Sequence, residues 1–276
     1  MTPILTVAKR EFAAFFQTPV GYVITAIFAA ITGFGFVMNF FMYAQISQAP
    51  STHGYSTMPD FEEYVLSPYL VFCGLMIMFL SPLITMWLLA GERHKGTIEL
   101  LLTYPLRDRD IIFGKFLAAM GIVGVLLLVI AVHLGIIFAF VDIEVTVLAF
   151  GLLAVLLMGA TFVSLGLFIS SLTRNPTTSG TITFGLCLLF FIISSVGDKL
   201  PEGNPAPENL NAGLRTVVGQ IYTIARTFIQ ELAVDAHAEE MAQGIFQPQD
   251  IAYYLLITSF FLFLTFRALE SRNWRA

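Results

Sequence analysis

Side chains suited to proton transfer, nucleophilic attack or metal binding are few in this 276-residue chain: four histidines, two cysteines, 14 basic and 19 acidic groups. Their spacing matches no catalytic constellation. There is no His-Glu-x-x-His, no Ser–His pair at depth, and no Gly-x-x-x-x-Gly-Lys-Ser/Thr loop to cradle a nucleotide. Cys73 and Cys187 lie far apart inside apolar runs and form no Cys-x-x-Cys, so neither a disulfide framework nor a zinc site is expected. His53 and His237 sit apart, and His133 has no acid near it in sequence. No catalytic, cofactor-binding or metal-binding residue is therefore assigned. What remains is the chemistry of charge at a surface, concentrated in Gly91-Glu92-Arg93-His94-Lys95-Gly96-Thr97-Ile98-Glu99 and in Arg107-Asp108-Arg109-Asp110. Between these runs Thr97 can cap a short helix, with Ile98, Leu101 and Leu102 on one face and Pro105 as its stop. The pattern predicts a short amphipathic helix with charges at its start.

The elements that must hold this segment are membrane spans. Hydrophobic residues make up 57% of the chain and charged residues 12%, Phe occurs 27 times, and mean hydropathy is +0.81. A soluble particle could not cover itself with so few charges. Six windows reach the ~20 apolar residues needed to cross a bilayer: about 20–43, 67–90, 112–141, 146–172, 178–196 and 250–267. An all-α membrane protein with six spans follows, both termini on one side. That side carries 11 of the 14 basic residues, a net charge of +5 against −10 opposite. By the positive-inside rule it faces the cytoplasm of the cell (inner) membrane. The overall charge of −5 argues against a nucleic-acid partner. Within the spans only His133 is titratable at depth, which suits a packing residue better than a proton relay. Energy for any movement must then enter from outside the bilayer.

Residues 4–16 set Ile4, Ala8, Phe12, Phe15 and Phe16 on one stripe, with Lys9, Arg10 and Glu11 around it. This predicts an amphipathic helix in residues 1–19, lying in the headgroup layer and turning at Pro19 and Gly21 into the first span. The 91–111 connection, residues 20–267 as a transmembrane domain, and a 268–276 tail complete the organisation. On the far side, 197–249 opens with prolines and continues with Leu210, Leu214, Val217, Ile221, Phe228 and Leu232 at helical spacing. That helix is expected to pack on the spans or to receive a partner protein. Thr178, Thr181 and Thr183 make the fifth span polar and are candidates for a substrate route; the alternative is hydroxyls bonded back to their own helix.

The run Glu92-Arg93-x-x-Gly96-Thr97-Ile98-Glu99-x-Leu101-Leu102-x-x-Pro105, with Gly114-Lys115 at the next span, resembles the pattern of ABC-2 type permeases, the membrane subunits of one class of ATP-binding-cassette transporters. The resemblance implies that 91–111 carries a coupling helix seated in a cleft of an ATPase subunit. Glu92, Arg93, Gly96, Thr97 and Glu99 would face or shape that contact, and Leu101, Leu102 and Pro105 would seat the helix on the bundle. The N-terminal helix would be the connecting helix beside it, through Lys9, Arg10 and Phe12. Two ATPase subunits binding ATP and Mg, a second permease copy or homologue, export, and an extracytoplasmic accessory protein are further implications. Gly244-Ile245-Phe246-Gln247-Pro248-Gln249-Asp250-Ile251, Tyr253-Tyr254-Leu255 and Glu270-Ser271-Arg272-Asn273-Trp274-Arg275 are similar to the gliding-motility-associated branch. A different outcome is compatible with the same residues: a transmembrane mechanical transmitter or scaffold that moves an outer partner while nothing crosses. The substrate is not legible.

Overall fold

The computed structural model describes residues 3–48, 60–96, 107–139, 143–197, 199–201, 203 and 211–271. Among them every regular element is helical. In chain order these are α1 (Pro3–Gln17), α2 (Pro19–Gln48), a π-helical turn (Glu62–Leu66), α3 (Ser67–Thr85), α4 (Ala90–His94), α5 (Asp108–Phe138), α6 (Val145–Leu172), α7 (Pro176–Gly197), α8 (Ala212–Glu231), α9 (Val234–Ala242) and α10 (Pro248–Glu270). Among the described residues six stretches are long and apolar enough to cross a membrane: Pro19–Gln48, Glu62–His94, Asp108–Phe138, Val145–Leu172, Pro176–Val196 and Pro248–Glu270. Each of the six windows read from the sequence falls on one of them, the third continuing past Phe138 to residues outside those described.

Helix α6 is the central post. Its apolar stretch is 78% buried, against 22% for α2 and for α10, and it packs on α3, α5, α7, α9 and α10. Helices in lipid gain little from the hydrophobic effect against one another, so close approach of backbones must hold them together. Gly166 supplies that approach: a Cβ there would meet Thr85 Oγ1 at 2.1 Å. The outward faces of α2 and α10 carry Tyr22, Phe34, Phe41, Leu256 and Phe260, all more than half exposed, as lipid-facing helices should.

The second span, read from the sequence as a window over about 67–90, is broken within that window. Pro82 lies inside α3 and has no N–H to give to the Met78 carbonyl. The Ser81 hydroxyl donates to that carbonyl instead, at 2.8 Å. The helix stops at Thr85, makes a turn over 86–89 and restarts as α4. The first helix lies against the bundle: Val7 and Ala8 are buried, Ile4, Phe12, Phe15 and Phe16 are half-buried, and α1 runs along α5. Gly114 is what admits it, since a Cβ there would meet Val7 Cβ at 2.7 Å.

Candidate functional site

The end of the bundle that holds α1, α4 and the start of α5 contains a compact charge network. Lys115, on the second turn of α5, is fully buried. Its Nζ donates to Glu92 Oε1 at 2.9 Å and to Glu11 Oε1 at 3.1 Å. Arg10 donates to Glu11 Oε1 at 2.7 Å and reaches Glu92 Oε1 at 3.5 Å. One buried cation thus joins three elements that are far apart in sequence. A buried ammonium without a counter-charge is costly, whereas one shared by two carboxylates is satisfied. For Glu11, burial works against ionisation and is the largest single influence. The combined pull of Lys115 and Arg10 outweighs it, so the carboxyl titrates below its ordinary value.

Around this network the 91–96 segment is held at its root. The N–H groups of Leu89 and Ala90, which open α4, both donate to Ser170 Oγ of α6, at 3.1 and 3.0 Å. Ser170 therefore caps the restarted helix from a neighbouring span. Arg93 Nη1 donates to the Thr173 carbonyl at 3.4 Å, at the C-terminal end of α6, where the helix dipole favours a cation. Gly96 has φ of +68°, the left-handed backbone that ends α4 and redirects the chain. His94, Lys95 and Gly96 are exposed, while Glu92 and Arg93 are half-buried. Of the contact residues read from the sequence, Glu92 and Arg93 are thus turned toward the bundle. Thr97, Glu99, Leu101, Leu102 and Pro105 lie outside the described residues. Lys9 is exposed, Arg10 belongs to the network, and the Phe12 ring packs over Gly121, where a Cβ would meet it at 3.1 Å.

The threonine candidates are not brought onto one lining. Thr178 and Thr181 are exposed and Thr183 is buried. The hydroxyls of Thr181 and Thr183 both donate, at 2.9 Å, to the carbonyls of Thr177 and Ser179 one turn back. His133 has a partner as well: its Nδ1 lies 2.7 Å from Tyr69 Oη, with Phe36 stacked on the ring.

The opposite end is organised around α9 and the first turn of α10. His237 Nδ1 is 2.8 Å from the buried carboxylate of Asp250, Tyr253 stacks on its ring, and Tyr254 Oη donates to the Val234 carbonyl at 2.5 Å. Ser194 of α7 donates to Asp235. Helix α8 is different. It touches α7, yet Leu214, Val217, Ile221, Ile224 and Phe228 are between 51% and 71% exposed, so its apolar face does not cover the spans.

Sequence reasoning missed Lys115 as the organising cation, Glu11 as its partner and Ser170 as a cap. The first two carried a signal. A lysine in the opening turns of an apolar helix demands a counter-charge, and Glu11 is the only acid before Asp60. Ser170 carried none, because serines in spans more often bond back to their own helix.

Six apolar helices, one of them buried at the centre, with no metal-capable cluster of His, Cys, Asp or Glu among the described residues, define a multi-pass membrane protein whose charged groups lie at its ends. The model of the ABC-2 family transporter proteins matches residues 5–272, and the chain belongs to that family. It is thus a membrane component of an ABC transporter, a class that associates with an ABC ATPase subunit and is not itself catalytic. No curated protein matches the chain.

Proposed function

We propose that this chain is the permease subunit of an ABC-2 exporter in the cell membrane, with both termini cytoplasmic. Two copies, or one copy and a homologue, assemble with two ATPase subunits that bind ATP and Mg. The 91–111 connection is the coupling helix, and α1 is the connecting helix beside it. In this reading Thr97, Glu99 and the exposed His94 meet the ATPase, whereas Glu92, Arg93 and Gly96 root the lever in the bundle. Leu101, Leu102 and Pro105 seat it. ATP-driven closure of the ATPases pushes the connection, and the bundle responds as rigid bodies. The observation that carries this reading is Lys115 clamping Glu92 at the base of the connection and Glu11 on α1. Force applied to either element then reaches the same turn of α5. The threonines of α7 are assigned a minor part at most in a substrate route. The likeness of the C-terminal segment to the gliding-motility-associated branch supports membership of that branch as part of the same proposal.

A second reading is favoured by one observation, the exposed apolar face of α8 at the far end. There the same ATPase cycle moves an extracytoplasmic accessory protein, and no solute crosses.

The test is Glu92→Gln in the complex reconstituted with its ATPase subunits. A hydrogen bond to a charged group contributes about 1.5–3 kcal/mol, so the root loosens without loss of the spans. Stimulation of ATP hydrolysis by the permease should fall about tenfold, with unchanged membrane insertion and helical content. Full stimulation in Glu92→Gln would remove the ion network from the coupling path.

A further inference from the structure

A cleft of about 820 Å³ opens beside the ion network, between α1, the start of α2, the end of α3 and α5. Its size falls within the range of small-molecule sites, roughly 300–1,000 Å³. The floor is apolar and sealed: Ile84, Leu88, Ala118 and Ile122 are each at most 6% exposed. One wall is not sealed. Leu83, Trp87 and Val20 are 40–50% exposed, and Leu83 and Trp87 stand one turn apart at the end of a membrane span, so this wall is continuous with the lipid-facing surface. The mouth is charged. Arg10 and Lys95 line it with Glu11 and Glu92, and Lys115 lies directly behind those carboxylates. Three cations against two anions leave one positive charge. Lys95 is the cation outside the ion network; its Nζ stands 5.9 Å from the centre of the Trp87 ring.

An apolar floor open to the bilayer, a tryptophan and a lysine at the level where a span ends, and a single excess positive charge describe an amphiphile with an acyl chain and an anionic head. Basic pockets between spans are known to take such headgroups, and Trp and Lys favour that depth because their apolar parts face lipid and their polar tips face water. We propose that this cleft binds one anionic phospholipid from the leaflet on the termini side. Its acyl chain lies over Ile84, Leu88, Ala118 and Ile122, and Lys95 and Arg10 meet its phosphate. The site stands apart from the coupling assignment, since it requires only the permease chain.

Native mass spectrometry of the full-length chain purified in detergent tests it, with phosphatidylglycerol and phosphatidylcholine of identical acyl chains as probes. One phosphatidylglycerol per chain should be retained in preference to phosphatidylcholine. Lys95→Glu should weaken that retention about tenfold, the scale of one charge-assisted contact, and Lys95→Arg should preserve it. Leu83→Trp, which narrows the open wall, should reduce retention of both lipids. Equal retention of the two probes overturns the proposal, as does indifference to Lys95→Glu or to Leu83→Trp. Because no ATPase is present, failure here leaves the coupling assignment where it stood.

Discussion

Lys115 sits at 0% exposure with two carboxylates against its ammonium, and that stoichiometry decides how the junction responds to acid. Glu11 titrates below its ordinary value in the folded chain because its cationic neighbours outweigh the cost of burial. A carboxyl with a depressed folded value contributes stability above its unfolded value. That contribution is lost as pH falls through the folded one. Docking of α1 on α5 should therefore be constant from neutral pH down to the ordinary carboxylate range and fail only below it. Hydrogen exchange of the α1 peptides, corrected for intrinsic rates, measures this. In Glu11→Gln the acid-dependent step should disappear and exchange should be raised at neutral pH. A step in wild type well above pH 5, or no difference in the variant, would show that α1 is held by its apolar stripe alone.

At the scale of elements, the second span is two helices with a polar repair between them. Pro82 frees the Met78 carbonyl and Ser81 satisfies it; the turn over 86–89 frees N–H groups and Ser170 satisfies two of them. Buried backbone groups left unpaired inside a bilayer are expensive, which is why such breaks occur where a neighbouring helix can supply a partner. Ser170→Ala leaves Leu89 and Ala90 N–H without that acceptor. The expected cost is about 1–3 kcal/mol, concentrated on α4. Thermal unfolding should shift downward modestly, and proteolysis within 91–96 should accelerate more than proteolysis elsewhere. Ser170→Thr, which retains the hydroxyl, should restore protection. Uniform acceleration throughout the chain would mean that Ser170 supports the bundle rather than the junction.

Over the whole molecule, the six spans were legible because each needs a run of apolar residues that nothing else in the chain supplies, and the structure places a helix on every one. Less was legible at the ends. The stripe Ile4, Ala8, Phe12 announced an amphipathic helix, yet periodicity cannot say whether its apolar face meets lipid or protein. Gly114 and Gly121, which admit Val7 and Phe12, carry that information only once α5 is placed beside α1. The family pattern named Glu92 and Arg93 as part of a contact surface. It did not reveal that both side chains turn inward, since their partners Lys115 and Thr173 are set by packing rather than by spacing. For α8 the periodicity was correct; of its two readings, packing on the spans or receiving a partner, the exposed apolar face does not match the first. Orientation in the membrane rests on the asymmetry of basic residues. It can be checked with single cysteines at His94 and Gln220, in a background where Cys73 and Cys187 are serine. In right-side-out vesicles an impermeant maleimide should label position 220 and spare position 94. The reverse pattern would place the junction outside the cell and end the coupling proposal.

The contact between Gly166 and Thr85 has a mechanical meaning. With no side chain between them, α3 and α6 already touch backbone to side chain, and neither can be squeezed toward the other. In the proposed coupling, a push delivered through α4 therefore cannot be absorbed as shortening of that gap. It must leave the pair as tilt, carried the length of both helices like a strut under load, to the far end where His237 meets Asp250.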